Sequence, residues 1–140
     1  MSTAGLPRDY LAFFTGLARN NTKPWFEANK ARYLSNVKGP FEGLVAELLA
    51  GAAAIEGRRP IPLADSVFRI FRDVRFGKDK SPYKTYMAAV ISPVGRKDLQ
   101  VPGMYVQAGA DGVRVVGGLH HLEPPQLLRV RRRIRADGAG

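Results

Sequence analysis

The sequence has no cysteine, only two histidines and one tryptophan, and no apolar run approaching the roughly 20 residues that a membrane-spanning helix needs. The missing thiols exclude disulfide staples, Cys-ligated zinc, iron–sulfur clusters and a thiol nucleophile. Met1 to Pro7 lack the charged and apolar stretches of an export signal. These absences lead us to expect a soluble, cytoplasmic chain with no membrane partner. Neither Gly-x-x-x-x-Gly-Lys-Ser/Thr nor Gly-x-Gly-x-x-Gly occurs, so a P-loop or Rossmann site has no support, and no Gly-x-Ser-x-Gly elbow suggests acyl transfer. His120-His121 are neighbours in a loop, where two side chains seldom bind one ion together, and no acidic cluster supports them. No metal and no cofactor are expected.

Acidic residues are also scarce. Against 22 Lys+Arg there are 12 Asp+Glu, a formal charge of +10 on 140 residues of which 45% are hydrophobic. That length and composition suit one folded domain over 1–140 with a real core. The cations are mostly arginine, 15 against 7 lysines, and two segments concentrate them. Arg69 to Lys84 carries six cations against Asp73 and Asp79, and Arg129 to Arg135 carries five arginines and no acid. Such clusters favour anionic partners without saying which anion.

Hydrophobic periodicity divides the chain in two. Leu6, Tyr10, Phe13, Phe14 and Leu17 fall at helical spacing until Asn20-Asn21-Thr22 interrupts them. A second helix is expected from about Thr22, with Trp25, Phe26, Asn29 and Tyr33 on one side and Gly39-Pro40 as its stop. A third follows from Phe41, Leu44, Val45, Leu48, Leu49 and Ala52, with Gly57 as its C-terminal signal. After Arg58-Arg59-Pro60-Ile61-Pro62 the period becomes two. Strands are predicted over Ser66 to Phe71, Tyr83 to Ile91, Met104 to Ala108 and Val113 to Val116, with a hairpin turn at Ala110-Asp111-Gly112. Pro124-Pro125 opens a last helix whose Leu127, Leu128, Val130 and Ile134 are expected to pack inward. Helices, then strands, then a helix make an α+β fold, N-terminal helices lying on an antiparallel sheet of about four strands.

The densest concentration of chemistry is Arg69 to Lys84. Alternation places Phe68, Ile70, Arg72, Val74 and Phe76 on one face and Arg69, Phe71, Asp73 and Arg75 on the other, so Arg72 interrupts an apolar face. A guanidinium there is either paired or looks into a cleft, because an unpaired buried charge costs several kcal/mol; alternatively the strand ends at Phe71 and Arg72 is solvated. Asp73 beside Arg75 suggests an ion pair rather than a general base. Gly77 to Tyr83 reads as a loop whose N–H groups, with Lys78, Lys80, Lys84 and the Tyr83 hydroxyl, can cradle a phosphate or carboxylate, or equally form a charged surface turn. In Asn20 to Lys30, Asn21 and Trp25 are candidates for contacting an anion and for stacking on a base or sugar, against capping and core roles.

These segments carry a resemblance. Asn21-x-Lys23-x-Trp25-Phe26-Glu27-x-Asn29-Lys30, the run Arg69-Ile70-x-Arg72-Asp73-x-Arg75-Phe76-x-Lys78-Asp79-Lys80-Ser81-Pro82-Tyr83-Lys84-Thr85, Pro102-Gly103-x-Tyr105, and Gly117-Gly118-Leu119 before a Pro-initiated helix are similar to the domain of unknown function 2461 family. The resemblance spans essentially the whole chain. It implies an α+β protein and brings no reaction with it. Family members usually continue well past the last helix, so it also implies a chain that is short at its C-terminus, with apolar surface left exposed.

Three functional readings follow. The leading one is an anion-binding domain holding a phosphate- or carboxylate-bearing small molecule, with Arg69, Arg72, Asp73, Arg75, Lys78, Lys80, Tyr83, Lys84, Asn21 and Trp25 as candidate ligand-binding residues. If it is an enzyme, positioning and electrostatic stabilisation by these cations would be its means. The second is a nucleic-acid-binding module using the same stretch and Arg129 to Arg135. The third is a structural ion-pair lattice with no ligand.

Overall fold

The computed structural model describes residues 5–119 and 122–138. His120 and His121 lie outside the described residues. Helix α1 (Arg8–Arg19) is followed by α2 (Lys23–Ala28), α3 (Lys30–Tyr33), a π-helical segment (Leu34–Lys38), α4 (Gly39–Ile55) and the single turn α5 (Leu63–Ser66). Strands β1 (Tyr86–Ile91), β2 (Gly103–Gly109) and β3 (Gly112–Gly118) form an antiparallel sheet in sequence order, and α6 (Pro124–Asp137) closes the chain. The fold is α+β.

Gly39-Pro40 does not end the second helix as its composition suggests. The backbone stays helical through Gly39 at φ −57°, ψ −54°, and the Gly39 N–H donates to the Leu34 carbonyl, five residues back. This wider π turn lets the helix run on into Pro40, which has no N–H for an ordinary i to i−4 bond. A side chain at Gly39 would begin 3.1 Å from the Leu34 carbonyl oxygen, so glycine is what allows the close turn.

The core lies between the helices and one face of the sheet. Tyr10, Phe13, Phe14 and Leu17 of α1 are fully buried, joined by Phe26, Tyr33, Val37, Phe41, Val45 and Leu49. Across from them stand Met87, Ala89, Ile91, Val106 and Ala108, alternate residues of β1 and β2 that share a face by register. The Tyr10 hydroxyl donates to the Ala108 carbonyl at 2.9 Å, pinning α1 to β2, and its burial pushes that hydroxyl well above the usual phenol range. An ion pair found only in the structure ties α1 to α3: Arg32 Nε donates to Asp9 Oδ2 at 2.7 Å, and Asn36 Nδ2 to the same oxygen at 2.8 Å.

Two predicted packing features are corrected. Ser66 to Phe71 runs along the free edge of β1 without forming a regular strand, so the sheet has three strands. Only Val67 with Ala89 and Phe71 with Tyr83 form bridges, four residues apart on one side and six on the other, so the ladder cannot stay in step. The Ser66 hydroxyl instead donates to the Val90 carbonyl at 2.7 Å from a buried position. The last helix forms where predicted, but it buries no residue, and Ile134 is 66% exposed. It follows β3, whose side chains are themselves mostly exposed, so its apolar side meets no layer of the core. Its start is closed locally by a capping box between Glu123 and Gln126. No helix among the described residues is long and apolar enough to cross a membrane.

Candidate functional site

The two motif-bearing segments, which are far apart in sequence, meet at the end of α1. There Thr22 caps α2, its hydroxyl accepting from Trp25 N, and leaves Asn21 in the connection facing the segment before β1. Asn21 Nδ2 donates to the Tyr83 carbonyl at 2.8 Å, and Asn21 Oδ1 accepts from the Tyr83 N–H at 3.1 Å. The Tyr83 ring stacks on Phe26, with centroids 4.2 Å apart and planes 16° from parallel. Beside this junction lies a polar cleft of about 360 Å³, walled by Ala18, Asn21, Arg72, Asp79, Ser81, Tyr83, Lys84, Thr85 and Tyr86.

The charges of the cleft are ordered by their own neighbours. Arg72 Nη1 donates to Asp79 Oδ2 at 2.5 Å, and the Ser81 hydroxyl and N–H both donate to Asp79 Oδ1. Those Ser81 bonds, followed by Arg72, hold the Asp79 carboxyl well below the usual range. Lys84 Nζ donates to the Arg69 carbonyl at 2.7 Å. Partial burial, and next the nearby Arg69 charge, lower the Lys84 ammonium below its ordinary pKa. The cleft wall thus carries two cations and one carboxylate, with hydroxyls from Ser81, Thr85 and Tyr86 around them. Such a set can hold a compact anion through charge-assisted bonds.

The predicted site residues separate into two groups. Asn21, Arg72, Tyr83 and Lys84 line the cleft. Arg69, Asp73, Arg75, Lys78, Lys80 and Trp25 do not. Asp73 and Arg75 form a two-pronged exposed ion pair with each other, as their spacing suggests. Lys80 donates to the Val74 carbonyl at 2.6 Å. Trp25 packs on Phe13, with ring centroids 5.5 Å apart, and lies against Gly16. The extended segment ends at Phe71, as the solvated reading of Arg72 supposes, yet Arg72 is not simply solvated: its side chain is 31% exposed, pairs with Asp79 and lines the cleft. Ser81, Thr85 and Tyr86 are cleft residues that pattern reasoning passed over. Their signal was position alone, since they flank the Tyr83-Lys84 pair already singled out.

A second concavity, also of about 360 Å³, lies across the sheet's other face, between Phe68, Val90, Leu99, Val101, Tyr105, Val116 and Leu119. It is mostly apolar, and its one cation is Arg114. Among the described residues no group of three or more His, Asp or Glu side chains is placed to hold a metal ion.

A family model, DUF2461, described as a conserved hypothetical protein, matches residues 9–140. The chain belongs to the DUF2461 family. Both motif segments that meet at the cleft fall inside the matched region of this DUF2461 chain. No curated protein and no solved structure matches it.

Proposed function

We propose that this chain binds a small phosphate- or carboxylate-bearing molecule in the polar cleft beside the Asn21–Tyr83 junction. The observation that carries the reading is the pairing of Arg72 and Lys84 around one cavity with a single opposing carboxylate, Asp79. Arg72 uses one guanidinium nitrogen on Asp79, which leaves the rest of its donor fork for a ligand. Thr85 and Tyr86 supply hydroxyls for the remaining oxygens, the Ser81 hydroxyl being engaged on Asp79. The role assigned is binding, with the cations as the recognition elements.

Titration calorimetry with inorganic phosphate, sugar phosphates, nucleotides and dicarboxylates tests it. A saturable heat from one compound, weakened at least tenfold in Arg72→Ala and in Lys84→Ala, supports the cleft.

The structural-lattice reading is favoured by a different observation. Each of Arg72, Arg75, Lys80 and Lys84 already has a partner within its own segment. On that reading the same substitutions lower stability and change no ligand heat. The nucleic-acid reading places its contacts on the basic stretch Arg69 to Lys84 together with the exposed arginines of α6, and a short oligonucleotide whose binding collapses with salt is its signature.

A further inference from the structure

The one carboxylate of the polar cleft is not used up by its own neighbours. A carboxylate can accept about four hydrogen bonds, about two at each oxygen. Asp79 Oδ1 takes two, from the Ser81 N–H at 2.9 Å and the Ser81 hydroxyl at 2.5 Å, and Oδ2 takes one, from Arg72 Nη1. That leaves a lone pair on Oδ2 with no donor among the described residues, on a side chain that is 62% exposed and lines the cavity. The Ser81 bonds, and then Arg72, hold the carboxyl well below the usual range, so it meets a ligand as a charged acceptor with no proton of its own.

The place of that lone pair restricts what can bind beside it. Arg72 is the residue with a planar fork for an oxyanion, and the same guanidinium holds Asp79. Its nitrogens are so close together that an anion on the remaining N–H groups sets an oxygen beside Asp79 Oδ2. Two bare oxygens in that position repel. An O–H on the ligand turns the same contact into a charge-assisted hydrogen bond. The donors of Arg72, Lys84, Thr85 and Tyr86 serve the rest of the anion and leave Asp79 as the one charged acceptor in the cleft wall. An ammonium is a poorer match, because it brings three donors to a single open lone pair.

We propose that the cleft selects oxyanions that carry an O–H of their own, hydrogen phosphate or an α-hydroxycarboxylate, and that Asp79 is the residue that rejects the same anions without it. The inference rests on the anion-binding reading of the cleft and narrows it. Sulfate has the size and shape of phosphate but no proton near neutral pH, so its oxygens can only face the carboxylate bare. Acetate stands in the same relation to glycolate. In each pair the disfavoured anion leaves Asp79 unpaired beside a like charge, and such a mismatch discriminates more strongly than a missing apolar contact does.

Titration calorimetry on the parent chain at about pH 8 compares phosphate with sulfate, both dianions there and different by one proton, and glycolate with acetate. Phosphate should bind at least about tenfold more tightly than sulfate, and glycolate at least about tenfold more tightly than acetate. Asp79→Asn removes the charge and offers the ligand an N–H, so it should bring each ratio below about threefold, by binding sulfate and acetate more tightly than the parent does. A damaged fold cannot produce that gain. Asp79→Ser, neutral and still able to accept from the Ser81 N–H, should move the ratios the same way. Ratios near unity in the parent, ratios unchanged in both variants, or glycine bound as tightly as glycolate would overturn the inference. If phosphate and sulfate bind alike and both are lost in Arg72→Ala, the anion-binding reading survives its failure. Silence of all these probes overturns the inference, and silence of the wider panel of sugar phosphates, nucleotides and dicarboxylates removes that reading as well.

Discussion

The side-chain amide of Asn21 is bound at both its ends by the backbone of Tyr83, 62 residues further along the chain. It behaves as one residue of an extra strand, satisfying an N–H and a C=O that the short irregular edge before β1 would otherwise leave open. Asn21→Ala removes both bonds and should cost about 2 kcal/mol in chemical denaturation. Asn21→Asp keeps the acceptor but turns a carboxylate oxygen toward the Tyr83 carbonyl, so it should be no better than alanine. Equal stability of all three proteins would show that the junction contributes nothing.

Acid stability should depend on Asp9. Hydrogen bonds from Arg32 and Asn36 lower its carboxyl from 3.8 to about 2, despite a smaller opposing effect of burial. Because the folded pKa is the lower one, the stabilisation is complete above the unfolded value of about 4 and is lost as pH falls toward 2. The carboxylate is about one-third exposed, so solvent screening limits the contribution to about 1 kcal/mol. Asp9→Asn should be less stable than the parent at pH 7 by that amount, and the two should converge near pH 2 in thermal melts. A gap that stays constant across this range would rule out the carboxylate as its source.

Gly109 is required by contact. A Cβ at this position would fall 2.2 Å from the Thr85 carbonyl oxygen and 2.4 Å from Tyr86 Cβ, and the backbone on that side has no slack. The same carbonyl accepts from Ala110 N at 3.0 Å. Gly109→Ala should therefore cost about 2 kcal/mol or more and disturb the cleft wall at Thr85 and Tyr86. Gly117→Ala, where a Cβ meets nothing, serves as the matched control.

The leucines of α6 should matter little to stability. Leu128→Ala lies on a helix that buries nothing and should change the unfolding free energy by less than about 0.5 kcal/mol. Leu17→Ala, with the same deletion inside the core, should cost about 3 kcal/mol. A large loss at Leu128 would mean that α6 packs on the body after all.

Much of the fold was legible because its determinants are local. The stripe through Tyr10, Phe13, Phe14 and Leu17 and the short apolar, β-branched runs of β1 to β3 set off by turn residues are local signals that tertiary context did not override. Gly39-Pro40 misled because proline reports only that an ordinary hydrogen bond is missing, and a π turn five residues back removes the need for it. Ser66 to Phe71 has strand composition, but an unequal spacing between its bridges is a property of two segments together and leaves no mark in either alone. At the cleft, Arg72 is visible as a cation on an apolar face and Lys84 as part of a basic run, whereas the Asn21–Tyr83 bond and the Asp9–Arg32–Asn36 link join residues 62 and about 25 positions apart and have no local signature.

The cleft's role as an anion site is tested most directly by titrating small phosphates and carboxylates into the parent chain, Arg72→Ala and Lys84→Ala, with each unfolding curve measured alongside. One compound should bind the parent with little salt dependence, and at 100 times its Kd should add about 2.7 kcal/mol, raising Tm by about 8 °C. Both variants should lose that shift while remaining folded. Variants that lose stability while no anion moves the parent's Tm, or a shift produced only by oligonucleotide and abolished by salt, would contradict it.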